Sequence, residues 1–208
     1  MANSKPAGNK QTDIVAAAAR LFSDKGYHAA TVQDIADEVG ILKGSLYHHV
    51  RSKEELLYLV IKEPIGRLYR TVEEVVESEL SAGERLRRAA AAHVQALHDH
   101  YPDLFVYLRE SDDVQRRFRA TTRLSPKVYE RLWQQILRQG AKSGQFRGDI
   151  DVKVVSYGLL GMLNWLYKWY RPHGRLSPAE IADQFASLAL GGIATPPAAR
   201  RPRPSARR

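Results

Sequence analysis

Cysteine is absent from the 208 residues, which excludes a disulfide framework, thiolate catalysis and thiolate metal sites. Long apolar runs are missing too. The longest apolar patch, around residues 154–166, is too short and too broken to span a bilayer, and the opening MANSKPAGNKQT lacks the apolar core of a secretory signal. A cytoplasmic location with no membrane partner is the expectation. Seven His and 23 Asp/Glu form no metal-spaced set, and no nucleophile elbow or phosphate loop occurs. No catalytic residue, metal ligand or cofactor site is expected, so an enzyme is not the expected class. An internal repeat and a convincing strand are also missing.

Excess charge is missing where it would be most informative. The net charge is +9, yet residues 1–60 hold seven Lys/Arg against seven Asp/Glu, and five Arg lie in the tail from Pro196. Bulk charge therefore argues only weakly for nucleic acid, and position in the fold must carry that case.

What is present reads as helices with short polar connections. Ile14, Ala17, Ala18, Leu21 and Phe22 mark one apolar face that stops at Lys25-Gly26. Thr31 caps a short second helix carrying Val32, Ile35, Ala36 and Val39, and Gly40 ends it. A third helix runs from near Leu42 to about His49. Ser52, with Glu55 three residues on, reads as a capping box opening a long helix that Pro64 should kink or interrupt. Further boxes at Ser81/Glu84 and Ser177/Glu180 open later helices, the last reaching about Leu190. Between them helices are expected over 102–110, 112–143, kinked or split at Pro126, and 152–169. The fold class is thus all-α. The expected division is a disordered arm over 1–10, a helix-turn-helix domain over 11–56, a larger helical domain over 57–194 and a disordered Pro/Arg-rich tail over 195–208.

Two short helices separated by a Gly turn form a helix-turn-helix, whose second helix enters the major groove of DNA. Ala36 lets the helices approach, Gly40 takes the left-handed turn, and Val32, Ile35, Val39, Ile41 and Leu46 pack inward. The outer face is left to Lys43, Gly44, Ser45, Tyr47, His48 and His49. Gly44 and Ser45 remove bulk where backbone nears the duplex; Lys43, Tyr47 and His48 reach phosphates or base edges. Thr31 and Lys53 sit at helix N-termini, where free N–H groups favour phosphate, and Gln33 joins the DNA-facing set. The stretch GYHAATVQDIADEVGILKGSLYHHVRSKEEL resembles the N-terminal domain of TetR-family transcriptional repressors, departing only at His49-Val50, where many members have Phe after the His. That resemblance implies that Thr31, Tyr47 and Lys53 hold phosphates, while Lys43, Gly44, Ser45 and His48 lie at the bases of a palindromic operator.

The resemblance further implies a homodimer, paired through its last two helices, whose larger domain binds a small-molecule effector. Gly158, Gly161, Trp165 and Trp169 recur at helical spacing and are expected to share one face, two gaps beside two large rings, with Asn164 and Lys168 along its edge. This stripe reads equally as ligand contact and as core or dimer interface. The segment GMLNWLYKWYRPHGRLSPAEIADQFASLAL is similar to that of TetR-type regulators of fatty-acid and steroid catabolism that sense acyl-CoA thioesters. An acyl-CoA requires an apolar slot and cationic groups for its phosphates. Phe105, Leu108, Trp133 and Ile136 are slot candidates; Arg109, Lys168, Arg171 and the run Arg116, Arg117, Arg119, Arg123, Lys127 and Arg131 are phosphate candidates. Two other functions fit the pattern: a multidrug-sensing repressor of the same family, and a non-specific architectural DNA-binding protein favoured by the Arg-rich tail.

Overall fold

The computed structural model describes residues 10–109 and 125–195. Among them the regular structure is helical, apart from an isolated bridge between Phe146 and Ala194. The helices are α1 (Lys10–Lys25), α2 (Val32–Val39), α3 (Lys43–Leu46), α4 (Lys53–Glu77), α5 (Ala82–Asp99), α6 (Asp103–Arg109), α7 (Pro126–Lys142), α8 (Val152–Asn164), α9 (Leu166–Trp169) and α10 (Pro178–Ile193). The expected arm up to residue 9, the tail from residue 196 and the Arg116–Arg123 run lie outside the described residues; Lys10, expected in the arm, begins α1, and Thr195, expected in the tail, is hydrogen-bonded to Gln145.

Local chemistry sets the boundaries. At the start of α2 the Thr31 hydroxyl accepts from the Asp34 N–H at 3.0 Å, and the Asp34 carboxylate accepts from the Thr31 N–H at 2.7 Å. Gly40 closes α2 at φ +68°, a conformation that costs a side-chain-bearing residue. The Ser177/Glu180 box is complete in the same way, with Pro178 in the first turn. The other two boxes are half-formed. Glu55 reaches back to the Arg51 N–H rather than to Ser52, and Glu84 turns to Arg88 at 3.1 Å.

Three expected boundaries are corrected. Helix α4 runs unbroken through Pro64; Pro64 is buried there, so packing compensates for the lost backbone bond. The third helix ends at Leu46, because His48 and His49 donate to carbonyls three residues back, at 3.2 and 2.9 Å, and tighten the last turn. The helix from Val152 breaks at Trp165, where the Lys168 N–H also bonds three residues back, at 3.0 Å. At Pro126, where the expected helix was to be kinked or split, α7 opens behind the Ser125 cap.

Helix α4 is the central beam. It packs on α1 at one end and on α5, α6 and α7 farther along. The most extensive helix pair is α5 with α10. Behind α7, the Arg147 and Thr195 N–H groups bond to Ile193 and Gln145 carbonyls at 2.8 and 3.0 Å, tying the end of α10 to the turn before α8.

Candidate DNA-reading face and effector cavity

Ile35, Ala36 and Leu46 are fully buried with Ile14, Ala17, Ala18 and Phe22, so burial turns the opposite side of α2 and α3 outward. Lys43, Gly44, Ser45, Tyr47 and His48 are all exposed there, as expected. Gly44 has nothing near its missing Cβ. The flanking residues are more committed. The Thr31 hydroxyl donates to Asp34 at 2.8 Å, Gln33 donates to Asp37 at 2.7 Å, and Lys53 lies 4.4 Å over the Tyr27 ring and 3.3 Å from the His28 carbonyl. The Thr31 N–H and hydroxyl, with Lys25, hold the Asp34 carboxyl down at about 2. Sequence reasoning missed Leu42. It is 80% exposed beside Lys43, an apolar group suited to a thymine methyl; its signal was its position outside the inward set formed by Ile41 and Leu46.

A cavity of about 440 Å³ lies in the larger helical part. Helix α4 contributes Ile65, Leu68 and Tyr69; α5 contributes His93 and Leu97; α6 contributes Leu104, Tyr107 and Leu108. Pro126, Tyr129 and Glu130 of α7 and Tyr157, Leu160, Gly161 and Asn164 of α8 complete the wall with Tyr167. The buried end is polar: His93 Nδ1 stands 3.0 Å from the Tyr129 hydroxyl, and Tyr129 stacks on Tyr69 at 4.7 Å between centroids. Burial lowers the His93 pKa to about 4 and pushes both phenols well up, so all three groups are neutral near pH 7. Tyr157, 48% exposed, marks the open side.

The structure divides the expected ligand residues. Leu108, Gly161 and Asn164 line the cavity. Trp165 and Trp169 do not: they stand 55% and 46% exposed, as Gly158 and Gly161 are exposed too. Phe105 is buried outside the lining, stacked on Tyr170 at 5.9 Å, and Trp133 and Ile136 are core. Lys168 lies over the Tyr167 and Trp165 rings at 5.0 and 5.8 Å, outside the cavity lining. Arg171 is exposed and donates to the Tyr170 carbonyl at 2.9 Å. Lys127 and Arg131 are exposed on α7, and the Arg109 side chain lies outside what the structure describes. His93, Tyr129 and Tyr69 were missed, since nothing in their spacing separates them from ordinary core residues. Among the described residues no His, Asp or Glu cluster could hold a metal, and no helix is long and apolar enough to cross a membrane.

A helix-turn-helix unit carried on a helix that also walls an apolar cavity defines the class of two-part helical transcription regulators. Residues 14–59 match the family described as bacterial regulatory proteins, tetR family, and residues 79–193 match the tetracyclin repressor-like C-terminal domain. The chain belongs to the TetR family of transcriptional regulators. It is 33% identical over 191 residues to the HTH-type transcriptional repressor KstR2 of Mycobacterium tuberculosis, covering 89% of this chain and 93% of that protein. The solved structure of that ketosteroid regulator superposes with a TM-score of 0.71 at 32% identity, over 94% of this chain and 97% of that one. The structure of AibR in complex with isovaleryl coenzyme A and operator DNA matches with a TM-score of 0.69 at 26% identity, covering 86% and 97%. The Fatty acid metabolism regulator protein of Bacillus subtilis is 23% identical over 88% of this chain and 95% of its own length.

Proposed function

We propose that this regulator is a repressor that binds a palindromic operator as a homodimer and is released by a small-molecule effector, an acyl-CoA thioester. The observation that carries this reading is the shared use of α4. The helix that begins beside the DNA-reading unit at Lys53 presents Ile65, Leu68 and Tyr69 to the cavity. An occupant that repositions this segment changes the spacing of the two reading units in a dimer, and release is then differential binding to two states. The division at residues 56 and 57 belongs to the same proposal. A cavity of 440 Å³ suits the acyl part, with Leu108, Gly161 and Asn164 against it, while Lys168 and Arg171 outside the margin suit the phosphates. The isovaleryl-CoA complex of AibR and the kinship with regulators of ketosteroid and fatty-acid metabolism support the thioester. At the DNA, Lys43, Gly44, Ser45, Tyr47 and His48 read base edges and phosphates, with Leu42 as an added apolar contact and Thr31, Gln33 and Lys53 framing the site.

The test is a footprint followed by titration. The protected site should show two-fold symmetry, with half-sites about 34 Å apart; Lys43→Ala and Tyr47→Ala should each cost about 1–3 kcal/mol of operator affinity without unfolding the protein. Medium-chain and ring-bearing acyl-CoAs should release the DNA, and free CoA should not. A footprint without symmetry, or binding that is weak and equal on any DNA, supports an architectural role instead. A second reading has one observation in its favour: Glu130 is the acidic residue among the described cavity walls, which also carry five Tyr residues, a setting that suits a hydrophobic cation. Release by a quaternary ammonium compound and not by acyl-CoA would establish that reading.

A further inference from the structure

His93 is 5% exposed and lines the cavity from α5. Its Nδ1 is engaged by the Tyr129 hydroxyl at 3.0 Å. Its Nε2 is buried, and among the described residues nothing stands within hydrogen-bonding geometry of it. Buried polar atoms are nearly always partnered, because the water they give up must be replaced. Asn164, also in the cavity wall, makes a side-chain hydrogen bond to the ring that favours the imidazolium, at a geometry too poor to satisfy Nε2; burial outweighs it and keeps the ring neutral. A neutral imidazole carries one N–H. The Tyr129 phenol is held protonated by its burial; when it donates to Nδ1, the ring proton sits on Nε2. The cavity then contains a buried donor whose nearby Asn164 carboxamide, able to donate or accept, is not in geometry to satisfy it. No Lys or Arg occurs among the described lining residues, and Glu130 adds negative charge. A carboxylate at the buried end of a ligand would meet no cation there, and a plain hydrocarbon would leave Nε2 unsatisfied.

We propose that His93, held in one tautomer by Tyr129 and flanked by Asn164, is the specificity-determining group of the cavity, and that the effector carries a neutral carbonyl or hydroxyl oxygen at its buried end. This rests on the reading that the cavity takes the effector, and it names the chemistry that the effector must present. A neutral oxygen accepts from Nε2–H and is within the scope of the Asn164 carboxamide; a methylene of the same size does neither.

The probes are two acyl groups, cyclohexylacetyl and 4-oxocyclohexylacetyl, each on CoA and on N-acetylcysteamine, measured by calorimetry on the full-length protein without DNA. The ketone should bind about tenfold tighter than its methylene counterpart, the net value of one buried neutral hydrogen bond. His93→Leu should bring the pair to within about twofold while leaving the methylene probe bound at least as tightly. If that variant does not melt cooperatively, Tyr129→Phe decides: it keeps the ring, frees Nδ1 and should shrink the preference to about threefold or less. Equal binding of ketone and methylene by the parent, a full preference retained in the variant that folds, or no detectable binding of either ketone probe would each overturn the proposal. The carriers separate the two readings. If the CoA moiety is irrelevant, both carriers bind alike and the ketone preference persists; if the polar subsite is wrong, the preference is missing on both.

Discussion

His93 shows how one buried residue ties stability to pH. Its pKa falls from 6.5 to about 4 in the folded protein because burial penalises the imidazolium. The unfolded chain therefore binds more protons between those values. Stability is fully present above pH 6.5 and is lost as pH falls toward 4, by up to about 3 kcal/mol. Across this range the parent should lose up to about 3 kcal/mol of stability relative to His93→Leu as pH falls, read from thermal melts of both, and parallel curves would show that another group controls the acid limb. Gly140 makes a steric statement instead. A Cβ there would overlap the Phe146 ring, which is 2% exposed, so Gly140→Ala should destabilise by about 1–3 kcal/mol in denaturant unfolding. Neither residue stood out in the sequence: a single His and a single Gly in helical segments carry no pattern, and their partners lie 36 and six positions away.

At the scale of elements, α4 couples the two parts of the molecule. Its start was legible, because Ser52 accepts from the Glu55 N–H at 3.2 Å as a cap must. Its continuity through Pro64 was not, since propensity alone favours a break and tertiary burial reverses that choice. If occupancy of the cavity acts through this helix, an indole planted in the cavity should imitate the ligand. Leu68→Trp is expected to weaken operator binding roughly 5- to 150-fold, the range of ordinary coupling free energies, and to blunt any further response to acyl-CoA, as followed by fluorescence anisotropy on labelled operator. Operator affinity equal to the parent, with effector binding blocked, would show that the cavity does not act through α4. The break between α8 and α9 is the opposite case. The spacing predicted one continuous helix, but the α-helical pattern is interrupted at Trp165, and packing leaves both tryptophans exposed outside the cavity lining.

For the whole molecule, Val154, Tyr157 and Leu188 leave apolar surface exposed on α8 and α10, where the proposed partner subunit would pack; Gly158, Gly191 and Gly192 add no bulk. Leu188 is 67% exposed in the single chain, so Leu188→Glu should leave the fold intact. It should shift the protein to a monomer by light scattering and weaken operator binding severely, because one reading unit loses the second half-site. A dimer of unchanged size and affinity would place the subunit contact elsewhere.

Local rules were sufficient for the all-α class, the helix-turn-helix and its outward residues. Thr31, Gly40 and the apolar positions of α1 to α3 act within a few residues of one another, and the inward face of so small a unit leaves one outward face. The cavity was decided only by tertiary structure. Its walls come from helices distant in sequence, α4 to α8, and whether an aromatic or polar side chain on such a helix faces core, cavity or solvent depends on crossing geometry that periodicity does not encode. For that reason Lys43 and Tyr47 could be named from their spacing, whereas His93, Tyr129 and the outward turn of Trp165 became visible only once the helices were packed.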